Sequence, residues 1–306
     1  MFRALFIFLS ESRVLRAIAE LSAIGRRLSS RFVAGTTVAE ALEATAATNA
    51  HGMSVSVDNL GENVHKVEEA KQSAALYHDL LDEIEMRRLN ANVSLKLTHM
   101  GLDVDETLAR NIVNELVAHA ERRGSFVRID MEGSAYTQKT LDVVRELHRR
   151  PENAGRVGAV IQSYLHRSER DVEELCAEHI RIRLCKGAYK EPPEVAFQAK
   201  ADVDANFVKL MKIMLKSGTY HGIATHDPKM IDATIAFARS EKIAPDSFEF
   251  QMLYGIRRDL QQKLVHDGWR MRVYIPFGTE WYPYLMRRLA ERPANAIFIL
   301  KNLFRR

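Results

Sequence analysis

Cysteine is almost missing from this chain, with two residues, Cys176 and Cys185, among 306. They form no Cys-x-x-Cys pair and no histidine cluster accompanies them, so neither a disulfide framework nor a zinc site is indicated. Two reduced thiols in an intracellular protein fit the pattern. Long apolar runs are missing too. The N-terminal MFRALFIFLSES holds one of only six residues, Ala4–Leu9, too short to span a bilayer or to form a signal-peptide core. It suits packing on the domain or contact with a membrane surface. No Gly-x-Gly-x-x-Gly turn follows the first apolar strand, which removes the main mark of an open dinucleotide-binding sheet. No low-complexity tract appears. The net charge of +4 comes from scattered residues, without the basic and aromatic interleaving of a nucleic-acid surface, so no nucleic-acid partner is expected.

What is present is a regular alternation. Short β-branched or apolar runs occur at SVSVDNL (54–60), NVSLKL (92–97), FVRIDM (126–131), VGAVIQSYL (157–165), IRIRLCKG (180–187), HGIATHD (221–227), FEFQML (248–253) and RMRVYIPFG (270–278). Between them lie segments of helical spacing, among them 64–89, 105–123 and 137–150. Asp105 and Thr137 are read as N-caps, and Pro228 as a first-turn residue. Eight strands alternating with helices predict an α/β fold, a (β/α)8 TIM-type barrel with extra N-terminal helices. The expected organisation is one domain over 1–306, with a helical arm at 1–50 and the barrel at 51–306. An open doubly wound sheet is the alternative.

In such a barrel the chemistry lies at the C-terminal ends of the strands. Those ends are polar here: Lys96, Asp130, Gln162, Arg183 with Lys186, Thr225–His226–Asp227, Glu249 with Gln251, and Arg272 with Tyr274. Lys96, flanked by leucines, is costly to bury without a partner. It either pairs with Asp130, binds a carboxylate, or acts as a Schiff-base amine in an aldolase-type barrel. In RLCKGAY two cations and a glycine let the backbone approach an anionic ligand. The alternative reading of that stretch is a solvated loop. In WYPYLMRRLAERPAN, Tyr284, Arg287, Arg288 and Glu291 fall on one helical face just beyond the last strand. Twin guanidinium forks suit a carboxylate.

Taken in order, SLKLT, IDMEGS, QSYL, RLCKGAY, ATHD, FEFQMLYG, RVYIPFG and YLMRRLAERPAN resemble the FAD-dependent proline dehydrogenase family in its monofunctional bacterial form. The similarity runs over roughly residues 35–300. It implies oxidation of L-proline to Δ1-pyrroline-5-carboxylate, the first step of proline catabolism. A hydride would pass to N5 of noncovalent FAD, and electrons onward to a membrane quinone. It also implies roles. Lys96, Arg287 and Arg288 would clamp the substrate carboxylate, with Tyr274, Tyr284, Tyr189 and Leu253 around the ring. Asp130 and Arg183 would be catalytic. Met131, Gln162, Lys186, Gly187, Ala188, Thr225 and His226 would contact FAD. Glu62 would ion-pair with the arginine helix, which also carries Glu291, and gate the site. No metal is expected. The chain departs from the family pattern at Cys185, usually aliphatic, and at Asn59, usually apolar or aromatic. A cytoplasmic protein with peripheral contact at the inner face of the membrane is expected, through the N-terminal run or Phe298–Phe304. A preference for 4-hydroxyproline is the alternative within the family.

Overall fold

A computed structural model describes residues 29–153 and 155–291 together with Ser22 and Gly25; in the last helix the side chains are described through Met286. The Ala4–Leu9 run, most of the predicted N-terminal arm, Phe298–Phe304 and the side chains of Arg287, Arg288 and Glu291 lie outside the described residues.

Eight parallel strands close a barrel in chain order. They are β1 Ser54–Asn59, β2 Ala91–Leu95, β3 Val127–Ile129, β4 Val157–Gln162, β5 Arg181–Cys185, β6 His221–Ala224, β7 Phe248–Leu253 and β8 Met271–Phe277. Around them run α1 Val38–Ala50, α2 Val67–Met86, α3 Glu106–Arg122, α4 Ser134–His148, α5 Ser168–Ala177, α6 Lys200–Lys216, α7 Pro228–Ser240, α8 Arg258–His266 and α9 Trp281–Glu291. Val55, Val57, Val93, Leu95, Val127, Ile129, Ile182 and Ile275 are fully buried, as expected where each strand is covered by helices on one side and faces the barrel on the other. α1 packs against β1 and β8.

The predicted order and number of strands hold, and the strand ends differ. Lys96, Asp130, Lys186 and Thr225 each lie one residue beyond their strands, in the loops that leave the barrel mouth. Sheet pairing stops there while single bonds persist, as where Asp130 N–H donates to the Leu95 carbonyl at 2.8 Å. Two helix-start readings hold, the Asp105 cap and the first-turn Pro228. Asp105 accepts from Thr107 and Leu108 N–H, and Asp227 caps α7 with Pro228 in its first turn. The Thr137 reading fails: α4 starts earlier, with Gly133 at the cap, and Thr137 is 1% exposed inside the helix. Residues 134–136 carry no apolar stripe, so periodicity starts the helix a turn late.

The barrel interior is unusually polar. TIM-type interiors are ordinarily filled by branched apolar side chains, yet Ser56, Asp58, Ser94, Arg128, Gln162, Arg183, Glu249 and Gln251 are all buried here. Most of their polar atoms are hydrogen-bonded, to one another or to backbone carbonyls, as with Arg183 to Gln251, Ser56 and Ser94 and Arg128 to the Ala159 and Arg181 carbonyls. On the side of the barrel remote from the mouth, Glu249 accepts from Arg272 Nε at 2.6 Å, from Gln251 at 2.6 Å and from the Tyr220 hydroxyl at 3.0 Å. Burial works against the Glu249 carboxylate, but these donors outweigh it and hold its pKa below the ordinary value. Gly222, lacking a Cβ, leaves the space over which the Gln251 amide lies.

Candidate active site

Arg183 organises the mouth. It leaves the middle of β5 and reaches three other strands and the loop that follows β3. Its Nε donates to Gln251 at 2.5 Å, one terminal nitrogen to Asp130 at 2.8 Å, and the other to Ser56 and Ser94, each at 3.1 Å. The two serines are themselves 2.9 Å apart. A planar fork that is bonded at every nitrogen has one orientation open to it. Asp130 takes a second bond on its other oxygen, from the Tyr274 hydroxyl at 2.9 Å. The Arg183 guanidinium lies over the Tyr274 ring, 5.2 Å from its centroid. Asp130, Arg183 and Tyr274 are therefore one unit. Burial, with Asp130 and Asp58 nearby, pushes the Tyr274 hydroxyl well above its ordinary pKa, so it stays a proton donor.

Lys96 stands beside this unit in a ring of acids. Burial disfavours its ammonium, but Asp58, Glu62, Asp130 and Glu132 outweigh that and raise its pKa above the ordinary value. Of the alternatives for Lys96, direct pairing with Asp130 is not what the structure shows. Both Asp130 oxygens are bonded to Arg183 and Tyr274, and the ion pair of Lys96 runs to Glu62 Oε2 at 4.0 Å. A lysine held as an ammonium binds a carboxylate well and attacks a carbonyl poorly, so nothing here favours Schiff-base chemistry.

Asp58 was not among the predicted site residues. It is 1% exposed at the inner end of β1. One oxygen accepts from the Tyr77 hydroxyl at 3.3 Å, and that hydroxyl also reaches the Ser94 carbonyl at 2.8 Å. The other Asp58 oxygen is buried without a hydrogen-bond partner among the described residues. Burial raises the Asp58 pKa to about 6, against the opposing pull of Lys96. An acid in the apolar run SVSVDN is the signal that could have found it.

The remaining predicted residues divide into groups. Gln162, Met131 and Thr225 are buried near the strand ends, with Gln162 donating to the Glu132 carbonyl at 2.9 Å. His226 Nε2 accepts from Leu253 N–H at 2.9 Å, which puts the proton of the neutral ring on Nδ1. Lys186 contacts Asp204 at 2.5 Å and Asp227 at 2.7 Å, so it offers a donor rather than a spare positive charge. Gly187 has φ of +113°, a conformation side chains resist, and the Tyr164 ring lies where its Cβ would be. Ala188 follows on the same loop, and Tyr189 beyond it is 36% exposed. Leu253 is half-buried at the end of β7. Tyr284 is buried in an apolar cluster with Phe32, Val33, Leu60, Trp281 and Leu285. The backbones of Arg287, Arg288 and Glu291 continue the same helix.

A cavity of about 420 Å³ opens beside Lys96, bounded by Asn59, Leu60, Glu62, His99 and Glu280. Of the predicted site residues that are described, only Lys96 and Glu62 line it. The His99 ring packs against Gly61. Burial and the neighbouring Lys96 hold the His99 pKa down, to about 4, so the ring is neutral.

Comparison with known proteins agrees with this fold. The family model described as proline dehydrogenase matches residues 41–301. Proline dehydrogenase 2 of Bacillus subtilis is 41% identical over 301 residues, covering 98% of each chain. Proline dehydrogenase of Deinococcus radiodurans is 39% identical over 281 residues, 91% of this chain and 90% of that one. Among solved structures, proline utilization A (PutA) from Bdellovibrio bacteriovorus, inactivated by N-propargylglycine, superposes with a TM-score of 0.85 at 25% identity. The match covers 99% of this chain and 38% of that one. The chain therefore belongs to the proline dehydrogenase family, whose oxidoreductases carry out the first step of proline catabolism.

Proposed function

We propose that this chain is a single-domain, monofunctional enzyme that oxidises L-proline to Δ1-pyrroline-5-carboxylate with noncovalently bound FAD. The flavin, when bound, supplies the two-electron acceptor for the hydride leaving the ring carbon beside the proline nitrogen, and a membrane quinone reoxidises it. The observation that carries the reading is the Asp130–Arg183–Tyr274 unit placed beside an ammonium, Lys96, at the barrel mouth.

The donor set suits the cofactor. Arg183 is a fixed cation that stabilises negative charge on a reduced ring system, and its bonds are in place before reaction. Gly187 offers close backbone approach, Gln162 and Thr225 are buried polar groups nearby, and Lys186 is a donor for the dinucleotide tail. Met131, Ala188 and His226 complete that side. Lys96, with Arg287 and Arg288, fixes the substrate carboxylate. Tyr274, Tyr284, Tyr189 and Leu253 confine the ring, and Glu62 and Glu291 govern access. Holding both ends of a small ligand is orientation catalysis. The protein acts in the cytoplasm and meets the quinone by peripheral contact at the membrane face. Among the described residues no helix is long and apolar enough to cross a membrane.

Two measurements test cofactor and substrate. Acid precipitation of the yellow protein is expected to leave the flavin in the supernatant as FAD. Colour retained in the pellet would show covalent attachment, and a colourless preparation would contradict the cofactor assignment. Flavin reduction is expected to be faster with L-proline than with trans-4-hydroxyproline; the opposite order would assign the hydroxylated substrate.

A further inference from the structure

We propose that Glu132 and Thr98 are positioning residues that fix the loop between β1 and α2, and with it the place of Glu62 over Lys96. The inference rests on the reading of Glu62 as the gate. Glu132 is 3% exposed, and both of its carboxylate oxygens are taken by Thr98. The Thr98 N–H donates to Oε1 at 3.2 Å, and the Thr98 hydroxyl to Oε2 at 2.6 Å. Among the described residues Glu132 makes no ion pair within 4.0 Å, although it lies in the field of Lys96. A buried carboxylate held only by neutral donors is a costly way to anchor a turn, and a neutral side chain would serve packing alone.

The Thr98 hydroxyl proton goes to Glu132, so its oxygen is left as an acceptor. It accepts Asn63 N–H at 3.1 Å, and the Thr98 carbonyl accepts Val64 N–H at 3.3 Å. The two backbone donors that follow Glu62 thus both end on one buried residue. Asn63 has φ of +53°, a left-handed turn that asparagine tolerates better than most residues. That turn directs the chain away immediately after Glu62. At the far end Gln162 donates to the Glu132 carbonyl. A strut therefore runs from β4 through the loops after β3 and β2 to the gate loop, joining the proposed flavin side to the proposed access side.

The experiment compares T98V, E132Q and E62Q in the flavin-loaded enzyme, with flavin content checked in each. T98V keeps the size of the side chain and removes both hydroxyl bonds; E132Q keeps the shape and removes the charge. Each is expected to raise KM for L-proline about tenfold, the effect of losing a buried hydrogen bond or two, with kcat changed less than about twofold. E62Q is expected to raise KM as well, and T98V added to E62Q to raise it no further. If E62Q raises KM while T98V and E132Q leave it unchanged, or multiply its effect, the strut proposal is overturned and the gate reading stands. If E62Q leaves KM unchanged, the gate reading falls and the strut with it. An equal fall in kcat and in flavin content for T98V and E132Q would show a purely structural part.

Discussion

Replacing Arg183 by methionine is expected to lower kcat for L-proline by about 10²–10³-fold, the size seen when one preorganised donor is removed from a site of developing charge. The same change should destabilise the protein by about 3–5 kcal/mol, because it breaks a buried pair and leaves Asp130 without its cation. Both effects follow from one geometry. The Arg183 and Asp130 side chains are 7% and 13% exposed, so solvent does little to screen the loss. Gln251, Ser56 and Ser94 lose a partner as well. Arg183→Lys is an informative companion. It keeps the charge and gives up the fork, so it should recover more stability than activity. Steady-state kinetics and thermal melting read the two effects separately. A methionine variant that keeps wild-type kcat would remove Arg183 from the chemistry.

The second large effect is expected for Lys96→Met. If Lys96 grips the substrate carboxylate, kcat/KM should fall by the equivalent of about 2–5 kcal/mol, as for other truncated buried charge pairs. The loss should appear mainly in KM. The substitution should also alter how stability depends on pH. In the intact protein the Asp58 pKa is raised by burial to about 6, and Lys96 is the main influence pulling it down. Glu132 is raised for the same reason, with Lys96 again opposing. Removing Lys96 sends both higher. A carboxyl whose pKa is raised on folding contributes stability that is full below its unfolded value, near 3.8 for Asp58, and is lost as pH climbs through the folded value. The variant should therefore be least destabilised at pH 5 and most at pH 8, relative to the parent. An equal shift in Tm at the two pH values would show that Lys96 does not neutralise those acids.

Much of the barrel could be read from periodicity alone. Strand order and number followed from the spacing of β-branched runs, and Asp105 and Pro228 declared their helix starts. Thr137 did not, because α4 opens on residues without an apolar stripe. The site was legible where charge stood against its surroundings. Lys96 among leucines, and Arg183 with Asp130 inside β-rich runs, drew attention because such residues need partners. Which partner each takes was not legible. Pairing Lys96 with Asp130 looked natural on neighbouring strands, but Arg183 arrives from across the barrel with a fork that Lys96 cannot match, and Tyr274 takes the remaining oxygen. Asp58 and Glu132 carry a weaker mark, because a lone acid in a short strand or turn resembles an ordinary surface charge. Only closure of the barrel shows that each is buried. Lys186 reads in sequence as a free cation, whereas the folded chain brings Asp204 to it from α6 and Asp227 from the cap of α7.

The most direct measurement is the visible absorbance of the purified protein under anaerobic conditions, before and after addition of L-proline. The oxidised flavin band is expected to be present at the start and to bleach with proline, one pyrroline-5-carboxylate appearing for each flavin reduced. A flavin band that proline leaves unchanged would contradict the assignment of the Arg183–Asp130–Lys96 mouth as the place where proline is oxidised.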